Sequence, residues 1–135
     1  MTHALQMLET HPRRSAVPSV ALVECIDACF DCSQSCTACA DACLGEDDVG
    51  ILIRCIRLCQ DCSDTCATTG RILSRQTEFA PPLALAMVQS CADACRRSAE
   101  ECELHAHHHE HCRVCADACR RCEDACRETL SSLAV

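Results

Sequence analysis

CIDACFDCSQSCTACADAC, residues 25–43, decides the fold. Its cysteines, Cys25, Cys29, Cys32, Cys36, Cys39 and Cys43, recur in alternating steps of four and three, the rhythm that returns a side chain to one face of an α-helix. An ordinary bundle helix carries Leu or Ile on that seam, and this one carries thiols. A single helix therefore presents a row of sulfurs to whatever it packs against.

The same rhythm returns along the chain. Cys55, Cys59, Cys62 and Cys66 keep it, as do Cys112, Cys115, Cys119, Cys122 and Cys126, while Cys91, Cys95 and Cys102 keep it with Ser98 standing where another cysteine is due. CADAC occurs at 39, 91 and 115, an internal repeat of one helical unit rather than of a solenoid. Four long helices are predicted, over about 19–44, 47–75, 81–106 and 109–132. Ser19 is placed to cap the first and Gly45 to stop it. Glu46, Asp47 and Asp48 suit the positive start of the second, and Pro81 and Pro82 begin the third. The predicted fold is all-α: an antiparallel up-down-up-down four-helix bundle with a Cys-lined core, spanning 19–135. Residues 1–18 precede it as a short helix and a linker containing Pro12 and Pro18. His3, Met7 and His11 recur every four residues there; a helix docked on the bundle accounts for the pattern better than a soft-metal site.

Composition bounds the chemistry. At 135 residues one domain is expected. With 18 cysteines, two phenylalanines and no Trp or Tyr, the thiols must themselves form the core. A cysteine-dense short chain first suggests a secreted disulfide scaffold. The first 19 residues, however, hold no apolar run before a small-residue cleavage site, so the expectation is a cytoplasmic protein with reduced thiols. No window approaches the length of a membrane span. A formal charge of −8 argues against nucleic acid as a partner. Many of the acids sit in a Cys-x-Asp-x-Cys unit (Asp27, Asp41, Asp64, Asp93, Asp117, Asp124), two residues off the seam and so directed toward solvent.

Register sharpens the picture. In antiparallel neighbours, residues at one height have numbers that add to a constant. Cys25/Cys66, Cys29/Cys62, Cys32/Cys59 and Cys36/Cys55 satisfy one such constant; Cys91/Cys126, Cys95/Cys122, Ser98/Cys119 and Cys102/Cys115 satisfy another. Stacking the two hairpins gives layers that continue through Cys39, Leu52, His105 and Cys112 to Cys43, Asp48, His108 and His109. In the other direction come Ala21, Gly70, Met87 and Leu130, then Pro18, Leu73, Ala84 and Leu133. One end is thus expected to be an apolar plug. The other, ringed by Asp48, His105, His108 and His109, is expected to be a mouth.

A sulfur-lined tube can hold protons, zinc, iron-sulfur clusters or Cu(I). Four thiolates around one zinc leave a charge of about −2, and several such sites buried together are opposed by desolvation. Clusters of iron and sulfur meet the same objection. One Cu(I) per thiolate gives a neutral column, and this soft ion accepts two or three bridging sulfurs. A catalytic thiol needs exposure and a positioned base, and nothing sets one cysteine apart, so no enzyme activity is expected.

These features resemble the bacterial copper storage proteins, specifically their cytosolic branch: four Cys-lined helices, the CxxxC pairs 25/29, 32/36, 39/43, 55/59, 62/66, 91/95, 115/119 and 122/126, and the His-rich stretch after Cys102. The resemblance covers about residues 19–133. It implies a homotetramer of four-helix bundles that stores many Cu(I) ions, with the 18 cysteines as the store and the histidines near the third turn as entrance ligands. A copper chaperone is a possible partner. Ser98 interrupts the column and leaves the ion count open; a zinc or mixed-metal thiolate buffer is the alternative.

Overall fold

A computed structural model describes residues 2–13 and 19–133. The described residues form five α-helices: α1 (Ala4–Glu9), α2 (Val20–Leu44), α3 (Ile53–Ser74), α4 (Pro81–His105) and α5 (Glu110–Leu133). Helices α2 to α5 make the bundle, each packing along its sequence neighbour, with α5 closing back on α2. This is the up-down-up-down arrangement that short connections impose. No helix among the described residues is long and apolar enough to cross a membrane.

The helix ends follow local chemistry. The Leu22 amide donates to Ser19 Oγ at 3.0 Å, capping α2, and Pro81 and Pro82 occupy the first turn of α4, where the missing amides cost nothing. Helix α3 differs from expectation. It starts at Ile53 rather than near residue 47, because the chain first passes through a 3-10 turn, Val49–Leu52. Gly50 and the β-branched Val49 and Ile51 are poor nuclei for an α-helix, and the tighter turn leaves Glu46 and Asp48 on the connection.

The core is sulfur from the second turn of α2 to the first turn of α5. All 18 cysteines are buried. Below them the apolar plug is present: Leu73, Ala84 and Val88 are fully buried, with Met87 and Leu130 beside them. Pro18 lies outside the described residues, as does the side chain of Leu133. Hydroxyls tie this end together across helices, Thr69 donating to the Met87 carbonyl and Thr129 to the Ala21 carbonyl. Gly70 admits the Phe30 ring, which would lie 2.9 Å from an added Cβ.

Helix α1 docks on α2 near the plug. The Thr2 amide and hydroxyl both donate to Asp27, the amide at 3.2 Å. Asp27 is therefore a tether, whereas Asp41, Asp64, Asp93, Asp117 and Asp124 are exposed. Leu8 and Ile26 are buried in the same region. Ile26, which lies off the thiol seam, is thus used inside one chain, and Val88, three residues before Cys91, continues the seam itself; Ile51, Leu83 and Val20 remain on the outside.

Candidate metal site

The sulfur column has the register that the sequence implies. Within the expected layers, Cys25 and Cys126 lie 3.9 Å apart, Cys66 and Cys91 3.6 Å, Cys62 and Cys95 3.8 Å, and Cys29 and Cys122 3.9 Å. Higher up, Cys32 and Cys119 are 3.7 Å apart, Cys36 and Cys115 3.7 Å, Cys55 and Cys102 3.7 Å, and Cys39 and Cys112 4.0 Å. Contacts between layers are equally short, with Cys36 and Cys119 at 3.5 Å and Cys62 and Cys66 at 3.8 Å. The sulfurs form one continuous network rather than isolated pairs.

That network resolves into overlapping four-donor groups. Cys29/Cys91/Cys122/Cys126, Cys32/Cys66/Cys95/Cys122, Cys32/Cys36/Cys62/Cys119 and Cys39/Cys59/Cys102/Cys115 each keep their sulfurs within 4.8 Å of one another. Cys32 and Cys122 belong to two groups, so neighbouring ions could share a bridging sulfur. Ser98 sits in the middle of the column. Its hydroxyl faces Cys119 at 3.4 Å, Cys59 at 3.8 Å and Cys36 at 3.9 Å, filling the missing position with a weak ligand.

Protons are shared unevenly along the column. Hydrogen bonds from Cys126, then Cys29 and Cys32, hold the Cys122 thiol well below its ordinary value, and bonds from Cys102 and Cys115 do the same for Cys59. Their partners move the other way: Cys66 is raised, chiefly through Cys122, and Cys36 through Cys115. Burial pushes the Cys43 thiol up to about 12 and also raises Cys112. Once one thiol of a group has ionised, its neighbours hold their protons as donors to it. A cation of matching charge is what allows the rest to ionise.

The open end is built from the end of α2, the Glu46–Asp48 connection and the start of α5. His109 Nε2 hydrogen-bonds to Asp48 at 3.0 Å, and its Nδ1 lies 2.8 Å from the Glu46 carboxylate as an ion-pair contact. The bond to Asp48 raises His109 and lowers Asp48 in return. His105 is held by Glu101 at 3.0 Å, which also takes Arg54. His108 is exposed and lies against His107, ring centroids 4.0 Å apart. Of the four expected mouth residues, the structure joins Asp48 to His109 and gives His105 and His108 other neighbours.

His111 was not among those four, yet its Nδ1 lies 3.5 Å from Cys39 and 3.6 Å from Cys112. Its Nε2 is 2.8 Å from Glu46. The sequence carried a signal for it: His111 precedes Cys115 by four residues and so shares its helix face. Glu46 and Glu101 had no comparable signal.

Fold and site together define a thiol-lined helical bundle with the donor set of a soft-metal container. The copper storage protein family profile matches residues 19–131, and the chain belongs to that family. It is similar to the copper storage protein Ccsp of Streptomyces lividans loaded with 10 copper equivalents, at 46% identity over 95% of this chain and 98% of that one, with a TM-score of 0.92. A five-copper structure, described as copper loading to a cytosolic copper storage protein from Streptomyces lividans, is 50% identical over 82% of this chain and 92% of that one, TM-score 0.81. A histidine-to-alanine mutant of Streptomyces lividans Ccsp is 48% identical over 88% and 99% of the two chains, TM-score 0.85. No curated protein matches the sequence.

Proposed function

We propose that the protein is a cytoplasmic Cu(I) store. The observation that carries this reading is the column of free, buried thiols contributed by all four bundle helices, most with a sulfur neighbour 3.5–4.0 Å away and interrupted at Ser98. The ligands are Cys25, Cys29, Cys32, Cys36, Cys39, Cys43, Cys55, Cys59, Cys62, Cys66, Cys91, Cys95, Cys102, Cys112, Cys115, Cys119, Cys122 and Cys126. Each monovalent ion replaces one thiol proton, so the filled column stays near neutrality, which the low-dielectric interior favours. Storage of this kind keeps copper from redox cycling and from occupying other metal sites. The copper-loaded relatives and their cytosolic description support the cargo and the compartment.

Ions enter at the end marked by Asp48, His105, His108 and His109, because the opposite end is filled by Leu73, Ala84 and Val88. Transfer from a copper chaperone would use the same end. Association into a homotetramer uses apolar side chains left outside the bundle, Val20 and Leu83 among them.

The column is already assembled in the metal-free fold, so filling it should stabilise the protein without rebuilding it. Anaerobic loading of the reduced protein is expected to raise Tm strongly while the far-UV circular dichroism stays constant. An unchanged Tm, or a large gain in helicity, would contradict a preformed store.

A further inference from the structure

Traced through its thiol–thiol hydrogen bonds, the sulfur network has a waist near its middle. Above the waist, toward the open end, Cys36, Cys59, Cys102, Cys115 and Cys119 bond among themselves. Below it Cys66 joins Cys91, Cys95 and Cys122. Among the described residues one thiol–thiol bond links the two sets, Cys32 to Cys62 at 3.8 Å. Cys32 reaches up to Cys36 and Cys119, and Cys62 down to Cys66 and Cys95. Cys66, Cys95 and Cys122 also lie within 4.8 Å of Cys32, so that looser route starts from the same sulfur. The waist falls where Ser98 takes a thiol away, and the Ser98 hydroxyl faces Cys36, Cys59 and Cys119, all on the upper side.

Three hydroxyls stand directly behind this waist. Ser33 follows Cys32, Ser63 follows Cys62 and Thr37 follows Cys36 in the chain. Ser33 Oγ donates to the Ser63 carbonyl at 3.0 Å, and Ser63 Oγ donates back to the Ser33 carbonyl at 2.9 Å. The Thr37 hydroxyl lies 2.6 Å from Ser63 Oγ. A serine oxygen sits only one carbon beyond its own backbone, so a reciprocal exchange with the opposite carbonyls holds α2 and α3 at close approach. Ser63 is 8% exposed, and water competes little for its bonds. Because the bonded residues adjoin Cys32 and Cys62, the exchange fixes the two points from which those sulfurs reach inward. Cys32, Cys36 and Cys62 are three of the four donors in the group with Cys119.

We propose that Ser33, Thr37 and Ser63 are positioning residues, a clamp that keeps Cys32 and Cys62 close enough to pass Cu(I) by the Ser98 break into the deep half of the store. The inference rests on the Cu(I) reading. Passage is ligand exchange: the ion forms a Cu–S bond to Cys62 before its bond to Cys32 breaks, as two- and three-coordination of a soft ion allows. The proton of the receiving thiol moves to the sulfur left behind, and no electron is transferred. A wider gap would make the ion give up one sulfur before gaining the next, so the clamp governs rate and leaves capacity alone.

Anaerobic mixing of the reduced, metal-free protein with Cu(I) held by a weak chelator, followed through thiolate-to-copper absorption, separates early from late filling. Thr37→Val and Ser63→Ala are expected to slow the late part about two- to tenfold, the rate equivalent of one lost hydrogen bond. The early part and the final count stay as they are. Thr37 is exposed, so its isosteric variant leaves the fold intact, and Thr37→Ser, which keeps the hydroxyl, should fill at the unaltered rate. Thr69→Val removes a buried hydroxyl that links helices at the plug; it should lower the urea midpoint without slowing late filling. Unchanged late filling in Thr37→Val, or equal slowing in Thr69→Val, would overturn the clamp. Final counts keep the readings apart. A full count with an unaltered rate in the clamp variants defeats this inference alone, whereas an unaltered protein that stops near four or five ions, about four thiolates each, defeats the store and the clamp with it.

Discussion

The two ends of the bundle are made by the same helices and do opposite things. At the closed end the seam passes from Cys25, Cys66, Cys91 and Cys126 to Leu73, Ala84 and Val88, all buried, and α1 packs alongside. At the open end it passes from Cys39 and Cys112 to Cys43, His111 and the ion pairs of His109. Helical rhythm is indifferent to which chemistry occupies the seam. What the last two layers carry therefore decides whether an end is a wall or a door, at little cost to the scaffold.

Stability should reveal that asymmetry most strongly. Leu73→Ala removes a fully buried side chain from the plug and is expected to cost the metal-free protein about 2–5 kcal/mol, read as a lower urea midpoint. Ile53→Ala at the other end, where the side chain is 66% exposed, should stay within about 0.5 kcal/mol. Equal losses would mean that the ends are not built differently. Midway between them, Ser98→Cys replaces the hydroxyl that faces Cys36, Cys59 and Cys119. It should raise the number of Cu(I) ions bound by one; an unchanged count would show that the column does not bind ion by thiol.

Loading rate sharpens the comparison further. Replacing His105, His108 and His109 together by Ala should slow Cu(I) uptake while the buried thiols still fill, and an unchanged rate would remove the mouth assignment. The smallest effect is electrostatic. His109 is raised above 6.5 by its bond to Asp48, so its contribution to stability is complete below that pH and is lost as pH rises through the raised value. Asp48 is lowered below 3.8 by the same bond, so its contribution is lost only as pH falls through that lower value. The difference in urea midpoint between the protein and its Asp48→Asn variant should accordingly shrink on the alkaline side; a constant difference would contradict the pairing.

Much of this was legible in the sequence because it is periodic. The four-and-three spacing placed all the cysteines on one seam, and the constant sums fixed the layers that the sulfur distances display. Ser19, Pro81 and Pro82 marked helix starts by chemistry that acts locally. What was not legible depends on where the chain leaves helical geometry. The 3-10 turn at Val49–Leu52 carries Asp48 and Glu46 to His109 and His111, and no spacing rule extends through such a turn. The tether from Thr2 to Asp27 is likewise a tertiary contact between distant residues, invisible to periodicity.

The central claim is that the interior is a neutral column filled by one monovalent ion per thiolate. The direct measurement is an anaerobic titration of the reduced, metal-free protein with Cu(I) against a competing chelator, counting ions bound per chain before free copper appears. The account predicts a break near one ion for each of the 18 cysteines. A break near four or five ions, with zinc competing successfully throughout, would mean tetrahedral sites of about four thiolates each and would contradict it.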